Sequence, residues 1–559
     1  MKMEQSSIKR TDGTGTTTFT HYDNDRPQTV DGPLADNALT YSYNALGHLT
    51  SRAPQAGQAI SYSYDYDAGF DDIDLGRLKS ITTGTNTFTY DYSGVNPLIQ
   101  KLTRPNGSYT DYEYNDPLKR LTALINKAST GNLINSFAYT YDKDLIKTET
   151  VTNGSIIDNF LEKATSYQPN AVNQLLSATT SPDPAKVYAY DNDGNMTTGY
   201  TPEGYALYMT YDAQNRMKTA EYTDGTGKVN LFEYAYAGTS LLDQMVKKEN
   251  GSPVSATKYV RSGFLPFQER DASNAITREY TWGKNLGGGI GGLLNLKQGG
   301  QDYSYLYDGK GNVSALLNSG TQAVVASYAY DPFGQQMKET STIDQPYRFS
   351  TKELQGGTGQ YYYGYRFYDS CSGKWPTRDP LGEAGGMNLY RAMGNAPNNW
   401  RDPFGLYEED VHYYKTIEWA LKSGIDSRIA VRIAAADQKV DDNIFSNPKY
   451  WPINLVLGGK FHFQTREYAY VGLGQALDTG NIEQFGMFLH ILQDSYSHEG
   501  YYLTLMGHFF DTVVFGKNPD RYMCSSKRDT EMREDTMKWL KLFENKIGRG
   551  YHSIIRREQ

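Results

Sequence analysis

The residues best suited to chemistry lie beyond residue 406. The string Leu489-His490-Ile491-Leu492-Gln493-Asp494-Ser495-Tyr496-Ser497-His498 sets two histidines and an aspartate at i, i+4 and i+8. On a helix this spacing makes a single stripe, and imidazole and carboxylate are both good zinc donors. A lone helical histidine is most often a core or surface residue, but a stripe of three beside further His and Asp motifs points to metal. Six of the eight histidines fall in this region: His412, His462, His490, His498, His508 and His552. Asp410-Val411-His412 opens it, and Asp437 and Asp441 stand one helical turn apart. Phe461-His462-Phe463 follows Gly458-Gly459, and Gly507-His508-Phe509-Phe510-Asp511 follows the stripe, with Asp520 and Asp529 after it. A bound zinc ion lowers the pKa of a coordinated water and so supplies hydroxide near neutral pH. No serine or cysteine nucleophile is then needed.

The elements that hold these donors read as helices. Periodic patterns predict helices over 411–422, ended by Gly424, and over 427–440, 481–498 and 529–546. Ligands from facing helices can converge in one core, so residues 407–559 are expected to form an all-α domain.

Before residue 407 the text is different. The chain carries 48 Tyr against 21 Phe and 6 Trp, and tyrosine suits a strand that is apolar along its body and wet at its tip. A unit Tyr-x-Tyr-Asp/Asn recurs at Tyr41–Asn44, Tyr62–Asp65, Tyr112–Asn115, Tyr139–Asp142, Tyr188–Asp191, Tyr305–Asp308 and Tyr328–Asp331. Alternation puts both tyrosines of a unit on one strand face, and the Asp/Asn and Gly that follow supply a positive-φ hairpin turn. Hairpins in series predict a long, curling β-sheet.

These units resemble the YD repeats of Rhs proteins, tripartite-toxin C components and teneurins. The resemblance covers residues 10–340 and implies a hollow cocoon around a C-terminal cargo. Between Asp331 and Leu406 come Tyr347-Arg348-Phe349-Ser350-Thr351-Lys352-Glu353, Tyr361-Tyr362-Tyr363-Gly364-Tyr365-Arg366-Phe367-Tyr368-Asp369, Trp375-Pro376-Thr377-Arg378-Asp379-Pro380-Leu381-Gly382 and Arg401-Asp402-Pro403-Phe404-Gly405-Leu406. This segment is similar to the Rhs-associated core, which implies a plug with intramolecular aspartyl protease activity. Asp-Pro pairs alone would merely start turns. With the resemblance, Asp379 and Asp402 become the acid–base pair, Arg378 the orienting charge and Leu406–Tyr407 the scissile bond. The expected organisation is a β-rich YD-repeat shell over 1–340, a core with the autoproteolysis motif over 341–406, and an α-helical toxin over 407–559.

The order His, Asp, His, His-x3-Asp-x3-His, His in the last region resembles the zinc-dependent phospholipase C and single-strand nuclease superfamily, with the phospholipase branch fitting better. The resemblance implies two or three zinc ions. Asp441 or Asp437 with His462, His490 and Asp494 would build one site. Asp494 would bridge to a second site that includes His412. His498, His508 and one of Asp511, Asp520 or Asp529 would build the third. It further implies that the first residue of a mature chain donates its α-amine to zinc. Cleavage after Leu406 would free Tyr407 for that role; otherwise Asp410 takes the position.

The expected function is a polymorphic toxin that encapsulates, cleaves and releases a zinc phosphodiesterase. A phospholipid headgroup is the first substrate choice and nucleic acid the second. A non-enzymatic adhesion protein is the alternative of another class, and a structural zinc domain that disrupts membranes or binds a partner is a third. The net charge of −9 argues against a nucleic-acid scaffold, though not against a metal-using nuclease. Two cysteines, Cys371 and Cys524, exclude a disulfide framework. Residues 1–10 are polar and no apolar run is long enough to span a bilayer. The chain starts mid-pattern, so a fragment of a longer chain is expected. The picture is of a protein made in the cytoplasm and exported or displayed, its toxin delivered to a target cell. An immunity protein and a delivery machinery are the expected partners.

Overall fold

In this computed structural model the described residues are 8–405, except 13–14, 23–25, 46–47, 66–76, 93–97, 117–119, 143–144, 154–163, 238–240 and 381–387. To these are added scattered positions from 416 to 437, and residues 466–497 and 527–548.

Up to residue 341 every described element is a strand, and each pairs antiparallel with its neighbour in the chain. A 13-stranded sheet runs from Ile8–Asp12 to Leu145–Thr152, and a 14-stranded sheet from Ala189–Tyr190 to Gln336–Ser341. A 3-stranded sheet lies between them in sequence. The sheets are hairpin meanders, as the repeats predict.

The repeat has a finer structure than alternation suggests. The ladder shifts register at the second tyrosine of unit after unit: Ser63/Tyr64, Thr140/Tyr141, Leu306/Tyr307 and Ala329/Tyr330. Such a bulge bends the strand and increases its twist. The displaced tyrosine then donates its hydroxyl to a carbonyl on a preceding strand or its flank. Tyr64 reaches Leu49 O at 2.8 Å, Tyr236 reaches Met217 O at 2.7 Å, and Tyr330 reaches Val313 O at 2.9 Å. The aspartate that follows folds the turn: Asp308 Oδ1 accepts the amides of Lys310 and Asn312, both at 2.9 Å, while Gly311 takes φ +82°. Asp331 repeats this with Phe333 and Gln335. One tetrapeptide therefore sets a bend, a cross-strand anchor and a hairpin turn.

The two large sheets face each other. Ile81, Phe88 and Tyr90 of the first pack with Val260, Phe267 and Leu294 of the second. A polar seam also joins them: Arg104 Nη2 donates to Tyr305 O and Asn126 Nδ2 to Tyr307 O, each at 3.2 Å.

Residues 347–405 run along the turns of the second sheet. Tyr361 donates to Gly334 O at 3.1 Å and Tyr368 to Phe333 O at 2.7 Å. Tyr390 donates to Gly194 O at 2.8 Å and Arg401 Nε to Lys310 O at 3.1 Å. The segment has its own core of Phe349, Tyr361, Tyr363, Tyr368, Trp375 and Met393, and a small sheet of Glu353–Gln355, Gln360–Tyr362 and Phe367–Asp369.

Beyond residue 416 the described elements are helical: α1 (Arg466–Thr479), α2 (Ile482–Ser497) and α3 (Lys527–Phe543), the last continued by a π turn. Helix α2 starts where Asn481 Oδ1 accepts the Gln484 amide at 2.9 Å, an N-cap. Leu473, Phe485, Leu489, Leu492, Leu540 and Phe543 share a core with Trp419 and Ile433. Helix α1 is not anticipated by the sequence reading. No helix among the described residues is long and apolar enough to cross a membrane.

Candidate functional site

The site is built on one buried arginine. Arg366 sits at the tip of the hairpin between Gln360–Tyr362 and Phe367–Asp369, where the Tyr363 amide donates to Arg366 O at 3.0 Å. Its Nη2 lies 2.7 Å from Asp379 Oδ2 and 3.5 Å from Asp402 Oδ2, with the three side chains 2%, 6% and 4% exposed. Trp375 covers the guanidinium face, 4.3 Å away. Burial pulls the guanidinium pKa down, and the charges of Asp379 and Asp402 oppose that. Nη1 has no hydrogen-bond partner among the described residues.

The chain before residue 406 is held through three successive carbonyls. Pro403 O accepts from Lys352 Nζ at 2.6 Å, Phe404 O from the Tyr365 amide at 3.0 Å, and Gly405 O from Arg366 Nε. Asp402 divides its two oxygens. Oδ1 accepts the Gly405 amide at 2.7 Å and the Phe404 amide at 3.3 Å, which is the turn-starting role of an Asp-Pro pair, while Oδ2 faces Arg366. Gly405 holds φ +76°, and a Cβ there would stand 3.3 Å from both Arg366 and Tyr363.

Asp379 and Asp402 are thus brought to one cation, but that cation is not Arg378. Arg378 is exposed, with its guanidinium beside Gly194, so the orienting charge expected of it falls to Arg366, twelve positions earlier. A readable signal existed. An arginine in the run Tyr365-Arg366-Phe367-Tyr368 is flanked by residues that strands bury, and a buried guanidinium demands carboxylates. Leu406 and Tyr407, the expected scissile pair, lie outside the described residues.

Of the expected zinc donors, the structure describes the side chains of Asp437 and His490. Both are fully buried, with His490 Nδ1 3.3 Å from Asp437 Oδ1. Asp437 Oδ2 accepts from Thr416 Oγ1 at 2.7 Å, and Gln493 Nε2 donates to that hydroxyl at 2.9 Å. Gly486 permits the approach, because a Cβ there would sit 2.5 Å from Ile433 O and 2.6 Å from Ala436 Cβ. Asp494 and Asp529 lie in α2 and α3 without described side chains. Asp410, His412, Asp441, His462, His498, His508, Asp511 and Asp520 lie outside the described residues. Among the described residues, no three His, Cys, Asp or Glu side chains form a metal-holding group.

A run of tyrosine hairpins, with an acid pair clamped to the chain that follows it, is the setting in which the likeness to known proteins falls. No family model matches the chain. Proteins named as toxins and as nucleases are among its relatives in sequence. It is 28% identical over 417 residues to the tRNA3(Ser)-specific nuclease WapA of Bacillus spizizenii, covering 68% of this chain and 16% of that protein. It is 24% identical over 405 residues to the double-stranded DNA deaminase toxin A of Burkholderia cenocepacia, covering 64% of this chain and 25% of that one. Among solved structures, the TcdB2-TccC3-Cdc42 crystal structure matches with a TM-score of 0.49 and 17% identity, over 72% of this chain and 24% of that one. The chain spans a quarter or less of the length of each.

Proposed function

We propose that this chain is the C-terminal part of a polymorphic toxin whose YD-repeat shell encloses an effector and cuts it free. The reading rests on one observation: Arg366 holds Asp379 and Asp402 together while Lys352, Tyr365 and Arg366 grip the three carbonyls leading to residue 406. In the reaction, the ionised carboxylate of the pair takes a proton from water, whose oxygen attacks the Leu406 carbonyl carbon. The protonated carboxyl gives its proton to the departing Tyr407 nitrogen. The C–N bond breaks, leaving a Leu406 carboxylate and a Tyr407 amine. The free guanidinium nitrogen of Arg366 is a donor for the oxyanion.

Synthesis of the full chain in a cell-free system tests this. The native chain is expected to yield a fragment with Tyr407 at its N-terminus, and D379N and D402N chains are expected to stay whole. A native chain that stays whole, or a D379N chain that cleaves normally, sinks the proposal.

The effector, residues 407–559, is by this reading a zinc-dependent phosphodiesterase acting on phospholipid headgroups. The close approach of two buried candidate donors, Asp437 and His490, supports this reading. Nucleic acid is the second substrate reading, favoured by the nuclease and deaminase names of the relatives. Parallel hydrolysis assays on phospholipid vesicles and single-stranded DNA separate the two.

A further inference from the structure

Lys352 is charged, buried and unexplained by the acid pair. Its Nζ donates to Pro403 O at 2.6 Å and to Gly288 O at 2.7 Å, with the side chain within a residue only 5% exposed. The Tyr363 ring lies 5.2 Å beneath it. The two carbonyls come from distant parts of the chain, the glycine turn after Trp282 and the segment just before the expected cut. That turn approaches so closely that a Cβ on Gly288 would stand 2.2 Å from Pro403 O.

The backbone that delivers the lysine is strained. Ser350 and Thr351 both hold φ +50°, a region costly for a β-branched residue. Thr351 stays there because its Oγ1 donates to Gly311 O at 2.7 Å and accepts the Gly291 amide at 2.7 Å. Ser350 N–H is held by Asn312 Oδ1 at 2.8 Å.

We infer that Lys352 is a positioning residue for self-cleavage: it pins the Pro403 carbonyl to the shell and so aligns the peptide after Gly405 with Asp379 and Asp402. The inference rests on the protease reading above. Pro403, whose carbonyl Lys352 holds, lies three residues before Leu406, so Lys352 acts by placing the chain. A charge-assisted donor is stronger than a neutral one, so the ammonium form holds the segment best. Burial pushes the Lys352 pKa down to about 7, and the nearby Asp402 carboxylate pulls it up. Asp402 and the Tyr363 phenol are the titratable groups that face it. The ammonium is present below that pH and is lost above it.

The test follows full-length chains after a brief cell-free synthesis pulse, diluted into buffers from about pH 6 to about pH 9. K352M is expected to slow cleavage at Leu406–Tyr407 roughly tenfold to a hundredfold, because two buried carbonyls lose their donor. K352R is expected to recover most of the rate and to lose the decline above about pH 7 that the native chain shows. K352M cleaving at the native rate overturns the inference while leaving the protease reading intact. If near-ultraviolet circular dichroism shows K352M unfolded, the pH profiles decide, and identical native and K352R profiles overturn it. A native chain that never cleaves overturns the protease reading itself, a different result with its own D379N reference.

Discussion

Arg366 decides whether two buried carboxylates can coexist. Arg366 pairs with both Asp379 and Asp402 in a buried site, and removing one member of a buried ion pair typically costs about 3–5 kcal/mol. R366Q is therefore expected to lower the melting temperature markedly and to abolish cleavage, while R378Q, changed at an exposed side chain, leaves both unaltered. Gel analysis and a thermal melt of the two chains check this; equal behaviour would return the role to Arg378. The acids were legible in the text because Asp-Pro pairs and the flanking words are distinctive. Their arginine was not, because adjacency in sequence favoured Arg378 and only the hairpin fold carries Arg366 across to them. Asp437, as the alternative to Asp441, and His490 were legible as candidate donors to one zinc site. Their contact depends on Gly486 admitting a neighbouring helix, which a spacing rule does not contain.

The strand Glu353–Gln355 ties the segment around the site to the shell. Glu353 is buried and accepts a hydrogen bond from Tyr259, and its carboxyl is pushed up to about 7, first by burial and then by the Glu269 charge. A carboxyl raised on folding is protonated in the native chain over a range where the unfolded chain has ionised. Stability from this group is therefore present below the ordinary carboxylate range and is lost as pH rises toward about 7. E353Q is expected to melt above the native chain at about pH 8, with the gap closing toward about pH 5; a gap that widens on acidification refutes this. The hairpins themselves were readable, since alternation and Asp-Gly turns are local features. The bulge at each second tyrosine was not, because an extra residue in a ladder leaves the local alternation of residue types unchanged.

Across the full chain, the metal reading makes a claim that needs no view of single side chains. Elemental analysis of the purified protein is expected to find two or three zinc ions, and chelation is expected to abolish phosphodiester hydrolysis while self-cleavage continues. Zinc-free protein with full hydrolytic activity excludes the metal reading. A chain with one extra residue before Tyr407 tests the α-amine: unchanged zinc content and activity assign that position to Asp410. The organisation into repeats and a helical tail was visible as a change of text near residue 406. The arrangement of the tail's donors depends on contacts between helices whose order in space the sequence does not state.

The three gripped carbonyls at Pro403, Phe404 and Gly405 belong to the same molecule as the groups that grip them. On the proposed reading, such an arrangement turns over once. Its rate is a first-order clock that dilution leaves unchanged, and a competitor from solution must displace a tethered ligand at high effective concentration. Peptide mimics of the Asp402–Leu406 stretch are then expected to be poor inhibitors of the proposed cleavage, and its rate is expected to be independent of protein concentration.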